Sequence, residues 1–217
     1  MSKIKVAIQG ELGAYSHIAA ERLYKDADIK TCSTFEETFK QAYNDQSYKI
    51  VIPIENSLAG RVADIHYLLP KYKLQIHGEY FLPVEHNLLG KQDAKIEDIE
   101  YVRSHSQAIS QCQNIIAKRK FKSIISVDTA GSAKDLAEGK DKSIAAIASD
   151  LSAKMYNLKI LEKNIEDEKG NVTRFLIMGK NIEQPEYRTD KKFITSCIFR
   201  LKSEPSALYK CLGGFAT

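Results

Sequence analysis

Short apolar runs alternate with amphipathic stretches along the first part of the chain. The runs from Ile4 to Ile8 and from Lys49 to Ile54 are bounded by turn residues, which is typical of buried strands. Between them, residues 35–43 carry an aromatic side chain at every fourth position, as one face of a helix would. This alternation predicts an α/β fold with a mainly parallel sheet.

A second set of elements follows the same pattern. Strand character runs from Leu74 to Leu82, and Pro83 marks the crossing into a second lobe. Ser104 is predicted to cap a helix, and a strand from Ile124 to Val127 leads into a further helix. Periodicity alone does not decide whether residues 143–148 (SIAAIA) form a strand or a helix.

The C-terminal part begins with a late strand from Asn171 to Met178. Residues 181–190 are polar and contain proline, which is typical of a linker. A new strand from Phe193 to Leu201 and a short helix from Ser206 to Leu212 are predicted to follow. The pattern therefore separates residues 191–217 from the α/β part.

Composition places the chain among globular proteins. Of its 217 residues, 43% are hydrophobic and 28% charged, which favours a buried core and argues against disorder or a fibrous repeat. The net charge of +4 is too small and too interspersed to indicate nucleic-acid binding, but it suits a small anionic substrate. No window approaches the ~18 apolar residues of a membrane span. We expect a cytoplasmic, soluble protein without membrane contact.

Metal ligands and nucleophiles show no informative spacing. The four cysteines (Cys32, Cys112, Cys197 and Cys211) stand far apart, which predicts free thiols in a reducing compartment. The five histidines lack a metal-binding pattern such as HExxH, and no glycine-rich phosphate loop or GxSxG motif occurs. The sequence therefore predicts neither a metal site nor an organic cofactor.

Three polar segments follow predicted strands, where open α/β sheets place their ligands. They are residues 55–57 (ENS), 104–107 (SHSQ) and 128–130 (DTA). Each segment alone is explained by helix capping or turn formation. Together they predict an anion pocket between two lobes, because helix N-termini attract carboxylates.

Thr173 and Arg174 interrupt the otherwise apolar late strand. Burying such side chains costs free energy unless they find partners. Either this strand has one exposed face or its polar residues meet a ligand.

Taken in order, these segments resemble the motifs of the prephenate dehydratase family. Residues 53–60 (PIENSLAG) keep its Pro-Ile-Glu-Asn-Ser-x-x-Gly motif, and residues 104–112 (SHSQAISQC) are similar to its Ser-His-Pro-Gln-Ala…Gln-Cys motif. Residues 128–130 and 171–175 (NVTRF) match two later motifs, and residues 10–16 (GELGAYS) stand in place of its first glycine turn. The ordered match covers residues 4–178.

The resemblance implies a two-lobed fold like that of type II periplasmic binding proteins, with the active site in the interlobe cleft. It places the catalytic domain at residues 1–180, with a first lobe of about 1–78 plus 160–180 and a second of about 79–159. The implied reaction, in phenylalanine biosynthesis, converts prephenate to phenylpyruvate, water and carbon dioxide without a cofactor. The implied assembly is a homodimer or homotetramer.

The resemblance also implies roles for single residues. Thr173 is the expected proton donor to the departing hydroxyl group. The residues expected to bind substrate are Asn56, Ser104, Gln111, Thr129, Ala130, Arg174 and Phe175. An internal ion pair would explain Arg174 equally well.

Three positions depart from the family pattern in the catalytic part. Glu11 and Ala14 stand where the first turn usually has Pro and Thr, and Ser106 replaces the Pro of the Ser-His-Pro-Gln motif. Ala14 removes a hydroxyl group that the family places near the cleft.

Residues 193–215 resemble the start of the ACT regulatory domain of this family. Ser206, Ala207 and Leu208 lie in the region of its first phenylalanine-binding motif, with Ser206 where Gly is usual. The second binding motif does not occur in the 217 residues, so we expect an incomplete ACT unit at residues 191–217. Phenylalanine is expected to inhibit weakly or not at all.

Two alternatives stay open from the sequence. An arogenate dehydratase would act on a substrate with an amino group in place of the keto oxygen. A non-catalytic protein could keep the fold and bind a small anion.

Overall fold

Two β-sheets organise residues 3–181 of the computed structural model, which describes residues 3–181 and 186–216. The strands are β1 (Lys5–Gln9), β2 (Asp28–Cys32), β3 (Tyr48–Asn56), β4 (Gly60–Arg61), β5 (Gln75–Pro83), β6 (Asn87–Gly90), β7 (Tyr101–His105), β8 (Lys122–Ser126), β9 (Ile144–Ala148), β10 (Lys159–Glu162) and β11 (Val172–Gly179). The helices are α1 (Tyr15–Leu23), α2 (Phe35–Asn44), α3 (Ala63–Tyr72), α4 (Ser106–Ser110), α5 (Gln113–Arg119), α6 (Thr129–Glu138), α7 (Asp150–Met155) and α8 (Ala207–Ala216).

The two sheets repeat one strand order. The first runs β2-β1-β3-β11-β5, with β4 paired to β3, and the second runs β8-β7-β9-β6-β10. In each sheet the first three strands are parallel and the last two join antiparallel. The fourth strand of each sheet comes directly from a crossing between lobes. This doubled order gives two α/β lobes joined by two crossing segments, so the predicted two-lobed α/β fold is confirmed for residues 3–181.

The crossings lie a few residues later than the predicted lobe boundaries. Residues 79–83 pair with β11 and so belong to the first sheet, because each of them continues the antiparallel ladder of β5. Residues 159–162 pair with β6 and belong to the second sheet. The chain therefore crosses to the second lobe at residues 84–86, directly after Pro83, and returns at residues 163–171.

Both faces of each sheet are covered, which explains the apolar runs in the sequence. On the first sheet, α1 packs against one face, and Phe39 of α2 and Ile65 of α3 pack against the other. On the second sheet, α4 and α5 cover one face and α6 and α7 the other. Strands buried on both sides place only their ends near solvent, so the polar strand-end residues are the ones available to a ligand.

Local sequence signals explain several elements. The aromatic spacing of residues 35–43 is confirmed as α2, whose Phe39 is fully buried. Thr34 caps this helix by accepting a hydrogen bond from the Glu37 N–H at 3.1 Å. The run at residues 143–148, which suited either element, is the buried strand β9.

The C-terminal unit, described from residue 186, contains the predicted helix but not the predicted strand. Helix α8 covers residues 207–216, whereas residues 193–201 adopt no regular secondary structure. A strand is stabilised by pairing, and no described segment pairs with residues 193–201. The prediction of a strand there was wrong. The proposed linker at residues 181–190 falls partly outside the described residues.

Candidate active site

The two crossing segments are hydrogen-bonded to each other and form a hinge between the lobes. The Val84 N–H donates to the Asn171 carbonyl at 2.8 Å, and the Ile165 N–H donates to the His86 carbonyl at 2.8 Å. His86 and Asn171 are 3% exposed. Their polar side chains therefore need partners inside the protein.

Thr173 and Asn56 meet where strands β11 and β3 end in register. Asn56 donates from Nδ2 to Thr173 Oγ1 at 2.9 Å and to Asn171 Oδ1 at 2.6 Å. Its own Oδ1 accepts from the main-chain N–H groups of Leu58 at 3.0 Å and Ala59 at 2.9 Å. Because Thr173 Oγ1 accepts this bond, its hydroxyl proton stays available for another acceptor.

The second lobe joins this network through Gln111. Asn171 donates from Nδ2 to Gln111 Oε1 at 3.0 Å, and His86 Nε2 contacts the same oxygen at 2.8 Å. His86 Nδ1 lies 2.9 Å from the Tyr15 hydroxyl oxygen, which is also 2.7 Å from the Glu85 carbonyl oxygen. One hydrogen-bonded chain thus runs from Thr173 through the hinge to α1.

Burial keeps the ionisable members of this chain uncharged. Desolvation lowers the pKa of His86, and the hydrogen bond that His86 donates to Gln111 and the charge of Glu166 oppose the shift only in part. Burial also raises the pKa of Tyr15 well above its usual value, as do the nearby carboxylates. Because its ionisable groups are neutral, the hinge network would bind an anionic ligand through hydrogen bonds and not through a charged side chain.

Gln111 lies at a break between two short helices rather than inside one long helix. The predicted cap, Ser104, is fully buried in β7 and donates to the Ile147 carbonyl at 2.7 Å. His105 occupies the cap position of α4, and Asp167 accepts from the N–H groups of Gln113 and Asn114 at the start of α5. The prediction that Ser104 caps a helix was wrong, because strand β7 continues through it.

Arg174 and Phe175 are placed away from the hinge network. Successive residues of a strand point to opposite faces, so Arg174 lies on the face opposite Thr173. Its guanidinium group pairs with Glu79 at 2.6 Å and Glu55 at 3.1 Å. Phe175 is 1% exposed within the core. The internal ion pair explains Arg174 and packing explains Phe175, so contact of either residue with substrate stays a prediction.

A cavity of about 290 Å³ lies on the Arg174 side of the first sheet. Its lining consists of Glu55, Asn56, Ser57, Gly60, Arg61, Phe81, Val172 and Arg174. All of these residues belong to the first lobe or its edge. Thr173 and Gln111 are absent from the lining, so this cavity is separate from the hinge network except at Asn56.

The N-terminus of α6 offers unoccupied main-chain donors in the second lobe. Asp128 caps this helix as predicted and accepts from the Gly131 N–H at 2.6 Å. Within the described residues, the N–H groups of Thr129 and Ala130 donate to no protein atom. Such groups attract a carboxylate.

The first glycine turn contacts the second lobe directly. The Gly13 carbonyl accepts from Ser149 Oγ at 2.7 Å and from Ser152 Oγ at 3.0 Å. Glu11, one of the departures from the family pattern, pairs with Lys134 at 3.1 Å. We refer to residues 11–13 as the interlobe turn, since its bonds hold one lobe against the other.

Sequence reasoning missed three members of the network: Tyr15, His86 and Asn171. Tyr15 and Asn171 lie inside the quoted motifs, but neither had a role there. His86 follows the crossing proline by three positions, which is the signal that could have drawn attention to it.

Neither a bilayer-spanning helix nor a metal-binding group emerges from the described residues. Along residues 3–181 and 186–216, no helix is both long and apolar enough to cross a membrane. The same ranges bring together no cluster of three or more His, Cys, Asp or Glu side chains suited to a metal ion.

Comparison with known proteins identifies relatives across nearly the whole chain. The family described as prephenate dehydratase matches residues 6–183. An arogenate dehydratase of Petunia hybrida is 40% identical over 215 residues, covering 99% of this chain and 54% of the relative. A prephenate dehydratase of Methanocaldococcus jannaschii is 40% identical over 210 residues, covering 94% of this chain and 75% of the relative.

A solved prephenate dehydratase structure from Staphylococcus aureus shares the fold. It is 27% identical, has a TM-score of 0.74, and the match covers 98% of this chain and 78% of that one. The chain spans about half the length of the plant relatives that it matches.

Proposed function

Because the chain belongs to the prephenate dehydratase family, we propose that it converts prephenate to phenylpyruvate, water and carbon dioxide. The observation that carries this proposal is the state of Thr173. Its oxygen accepts from Asn56, its proton is uncommitted, and it lies beside the hinge between two lobes. A positioned hydroxyl donor is what the departure of a ring hydroxyl requires.

The proposed step balances with one proton. The ring C–O bond breaks, and the leaving oxygen takes a proton from Thr173 to form water. The electron pair of the bond to the ring carboxylate moves into the ring, which becomes aromatic as carbon dioxide leaves. Solvent then returns a proton to Thr173. Because threonine is a weak acid, proton transfer and C–O cleavage occur in concert.

The remaining donors suit a substrate with two carboxylates. The α6 N–H groups of Thr129 and Ala130 are unoccupied and lie at the positive end of a helix. Gln111 offers a side-chain amide from the second lobe, and Asn56 fixes Thr173. The reaction moves one proton and no net redox equivalents, so these residues supply all the chemistry that it needs.

The test measures the product of each substrate in parallel: phenylpyruvate from prephenate, followed by its ultraviolet absorbance, and phenylalanine from arogenate, followed by chromatography. Arogenate is the second candidate substrate, because several plant relatives are named arogenate dehydratase. Its dehydration would yield phenylalanine. A higher kcat/KM with prephenate supports the proposal, whereas a preference for arogenate supports the second candidate. Binding of prephenate without product would indicate a non-catalytic anion-binding protein.

We further propose self-association through the C-terminal unit. Several of its apolar side chains are exposed: Ile194, Ile198, Leu208, Tyr209 and Phe215. Light scattering should give the mass of a dimer or tetramer, and a chain with Leu208→Ser and Tyr209→Ser should shift towards monomer. A monomer at micromolar concentration for the unmodified chain would contradict this proposal.

Regulation and compartment are further proposals. Since residues 193–201 do not form the predicted strand, we propose that phenylalanine inhibits weakly or not at all through Ser206, Ala207 and Leu208. Initial rates against phenylalanine concentration test this. The four unpaired cysteines support a reducing, cytoplasmic location, which fractionation of cells would check.

A further inference from the structure

The hinge network consists of groups whose donor and acceptor ends depend on one another. A side-chain amide has an oxygen that accepts and a nitrogen that donates, and a neutral imidazole has one of each. Reversing any one member would place two donors or two acceptors in contact. The orientation of the whole network therefore follows from whichever member is fixed from outside.

Asn56 is the fixed member. Its Oδ1 accepts from the main-chain N–H groups of Leu58 and Ala59, which cannot act as acceptors. Asn56 Nδ2 must then face Asn171 Oδ1, at 2.6 Å. This leaves Asn171 Nδ2 facing Gln111, so the Gln111 atom at 3.0 Å is the accepting Oε1.

The same reasoning fixes the tautomer of His86. Gln111 Oε1 accepts and lies 2.8 Å from His86 Nε2, so a neutral His86 carries its proton on Nε2. Its Nδ1 is then an acceptor 2.9 Å from the Tyr15 oxygen, and it competes with the Glu85 carbonyl oxygen, at 2.7 Å, for the single hydroxyl proton of Tyr15. Polarity thus passes from two backbone amides to an imidazole in the hinge.

We propose that Asn171 and His86 are positioning residues that hold Gln111 as a hydrogen-bond donor towards the ligand. Both engage Gln111 Oε1, and Gln111 Nε2 has no partner among the described residues. Thr173 is likewise left with a free proton, because Asn56 donates to its oxygen. The network therefore selects a ligand that presents acceptors, such as carboxylates and a leaving hydroxyl. This inference deepens the proposed function and rests on it for the identity of the ligand.

Asn171→Asp reverses the polarity at one atom with almost no change in shape. The ionised carboxylate still accepts from Asn56 but cannot donate to Gln111. Gln111 must then turn its Nε2 towards the carboxylate and towards His86 Nε2, and His86 must carry its proton on Nδ1. Gln111 would present an oxygen to the anionic ligand. Protonation of the introduced carboxyl restores one donor and one acceptor, and burial at this 3% exposed position favours that neutral form.

Asn87→Asp is the matched control. Asn87 is also buried beside the hinge, at 4% exposure, and its Oδ1 accepts from the Asn164 N–H at 3.3 Å. A carboxylate keeps that acceptor. It adds the same charge near the hinge without contacting Gln111 in the network.

Other ionisable groups face the network, and their titration must be distinguished from that of the introduced carboxyl group. Glu166 accepts from the His86 N–H at 3.0 Å, and Tyr15 and Cys112 stay uncharged because burial raises the pKa of each. Asp150 and Glu85 lie near Tyr15. All of them are present in the unmodified protein and in the control, so only a pH response specific to Asn171→Asp reports the new group.

The kinetic experiment measures KM and kcat for prephenate against pH in the full chain and both variants. At high pH we expect Asn171→Asp to raise KM at least about tenfold, the loss of one hydrogen bond to a charged group, with a smaller change in kcat. KM should fall back towards the unmodified value as pH drops. Asn87→Asp should follow the unmodified protein.

The tautomer of His86 gives a readout that needs no substrate. In ¹⁵N-histidine NMR spectra, the unmodified protein should show the proton on Nε2, and Asn171→Asp at high pH should show it on Nδ1. A proton on Nδ1 in the unmodified protein would overturn the inference, even where the variant fails to fold. So would a raised KM with the Nε2 proton retained, because charge repulsion alone would then explain it. Absence of phenylpyruvate from the unmodified protein would refute the proposed function, while the NMR spectra would still decide the orientation of the network.

Discussion

Replacing Thr173 by Val removes the hydroxyl group and keeps the shape of the side chain. The loss of a positioned proton donor typically slows a reaction about 10²–10⁴-fold. This corresponds to about 3–5.5 kcal/mol of transition-state stabilisation. Thr173 is only 9% exposed, so Asn56 Nδ2 also loses one of its two acceptors in a buried place. That unpaired N–H should lower the free energy of unfolding by about 1–3 kcal/mol.

The assay separates these two effects. Phenylpyruvate production gives kcat and KM at saturating and subsaturating prephenate, and urea unfolding gives stability. Thr173→Ser keeps the oxygen and its proton, so it should retain most of kcat. Thr38→Val is the matched stability control, since Thr38 is fully buried and its hydroxyl donates to the Thr34 carbonyl at 2.9 Å, far from the hinge.

We expect Thr173→Val to lower kcat by at least about 100-fold with a KM near that of the unmodified protein. Thr38→Val should lose stability but not kcat. If Thr173→Val kept kcat within about twofold of the unmodified protein while folded, Thr173 would not be the proton donor. Equal losses of kcat in Thr173→Ser and Thr173→Val would show that packing of the methyl group matters rather than the hydroxyl.

Three further predictions concern stability. Ala14 occupies the N-cap position of α1 and has no side chain that could accept a hydrogen bond from the first turn. Ala14→Ser should therefore raise the free energy of unfolding, measured in urea, by about 1 kcal/mol. An unchanged free energy would show that the serine hydroxyl does not reach the N–H groups of the helix. Gly13 has φ +91°, and a Cβ there would lie 2.9 Å from Ser152 Cα. Gly13→Ala should therefore lower the free energy of unfolding by at least about 2 kcal/mol. An unchanged Tm would contradict the close contact between the interlobe turn and the second lobe. Burial, and to a smaller extent the Lys49 charge, lowers the pKa of His77 from 6.5 to about 4 in the folded protein. As pH falls from 6.5 to about 4, His77 is protonated in the unfolded chain before it is protonated in the folded protein, so the free energy of unfolding decreases over this range. His77→Gln should flatten the pH dependence of Tm between these values, and an unchanged slope would assign it to other groups.

Local signals were sufficient for elements whose cause lies within a few residues. The Asp128 side chain caps α6 through an N–H three positions along, and the aromatic spacing of residues 35–43 places Phe39 in the core. Such interactions form between neighbours in the chain, so the sequence alone determines them. The ordered motifs likewise brought Asn56, Gln111 and Thr173 forward as site residues.

Residues that act through distant partners could not be assigned in this way. Ser104 looked like a cap, but its hydroxyl binds a carbonyl of β9, 43 positions away. Arg174 suited either a ligand or an ion pair, and only the pairing of β11 between β3 and β5 brings Glu55 and Glu79 to its two sides. The strand expected at residues 193–201 failed for the same reason, because a strand depends on a partner that its own residues do not specify.

The hinge network shows this division most clearly. Asn171 binds Asn56 and Gln111, which are 115 and 60 positions away, and Tyr15 reaches His86 across 71. The sequence by itself determined the apolar strands, the capped helices and the polar residues that end them. Only the doubled sheet order, with the crossing segments laid side by side, decided which polar ends meet. Hydrogen-bond polarity depends on those meetings, and so the donor character of Gln111 and Thr173 is a property of the tertiary structure.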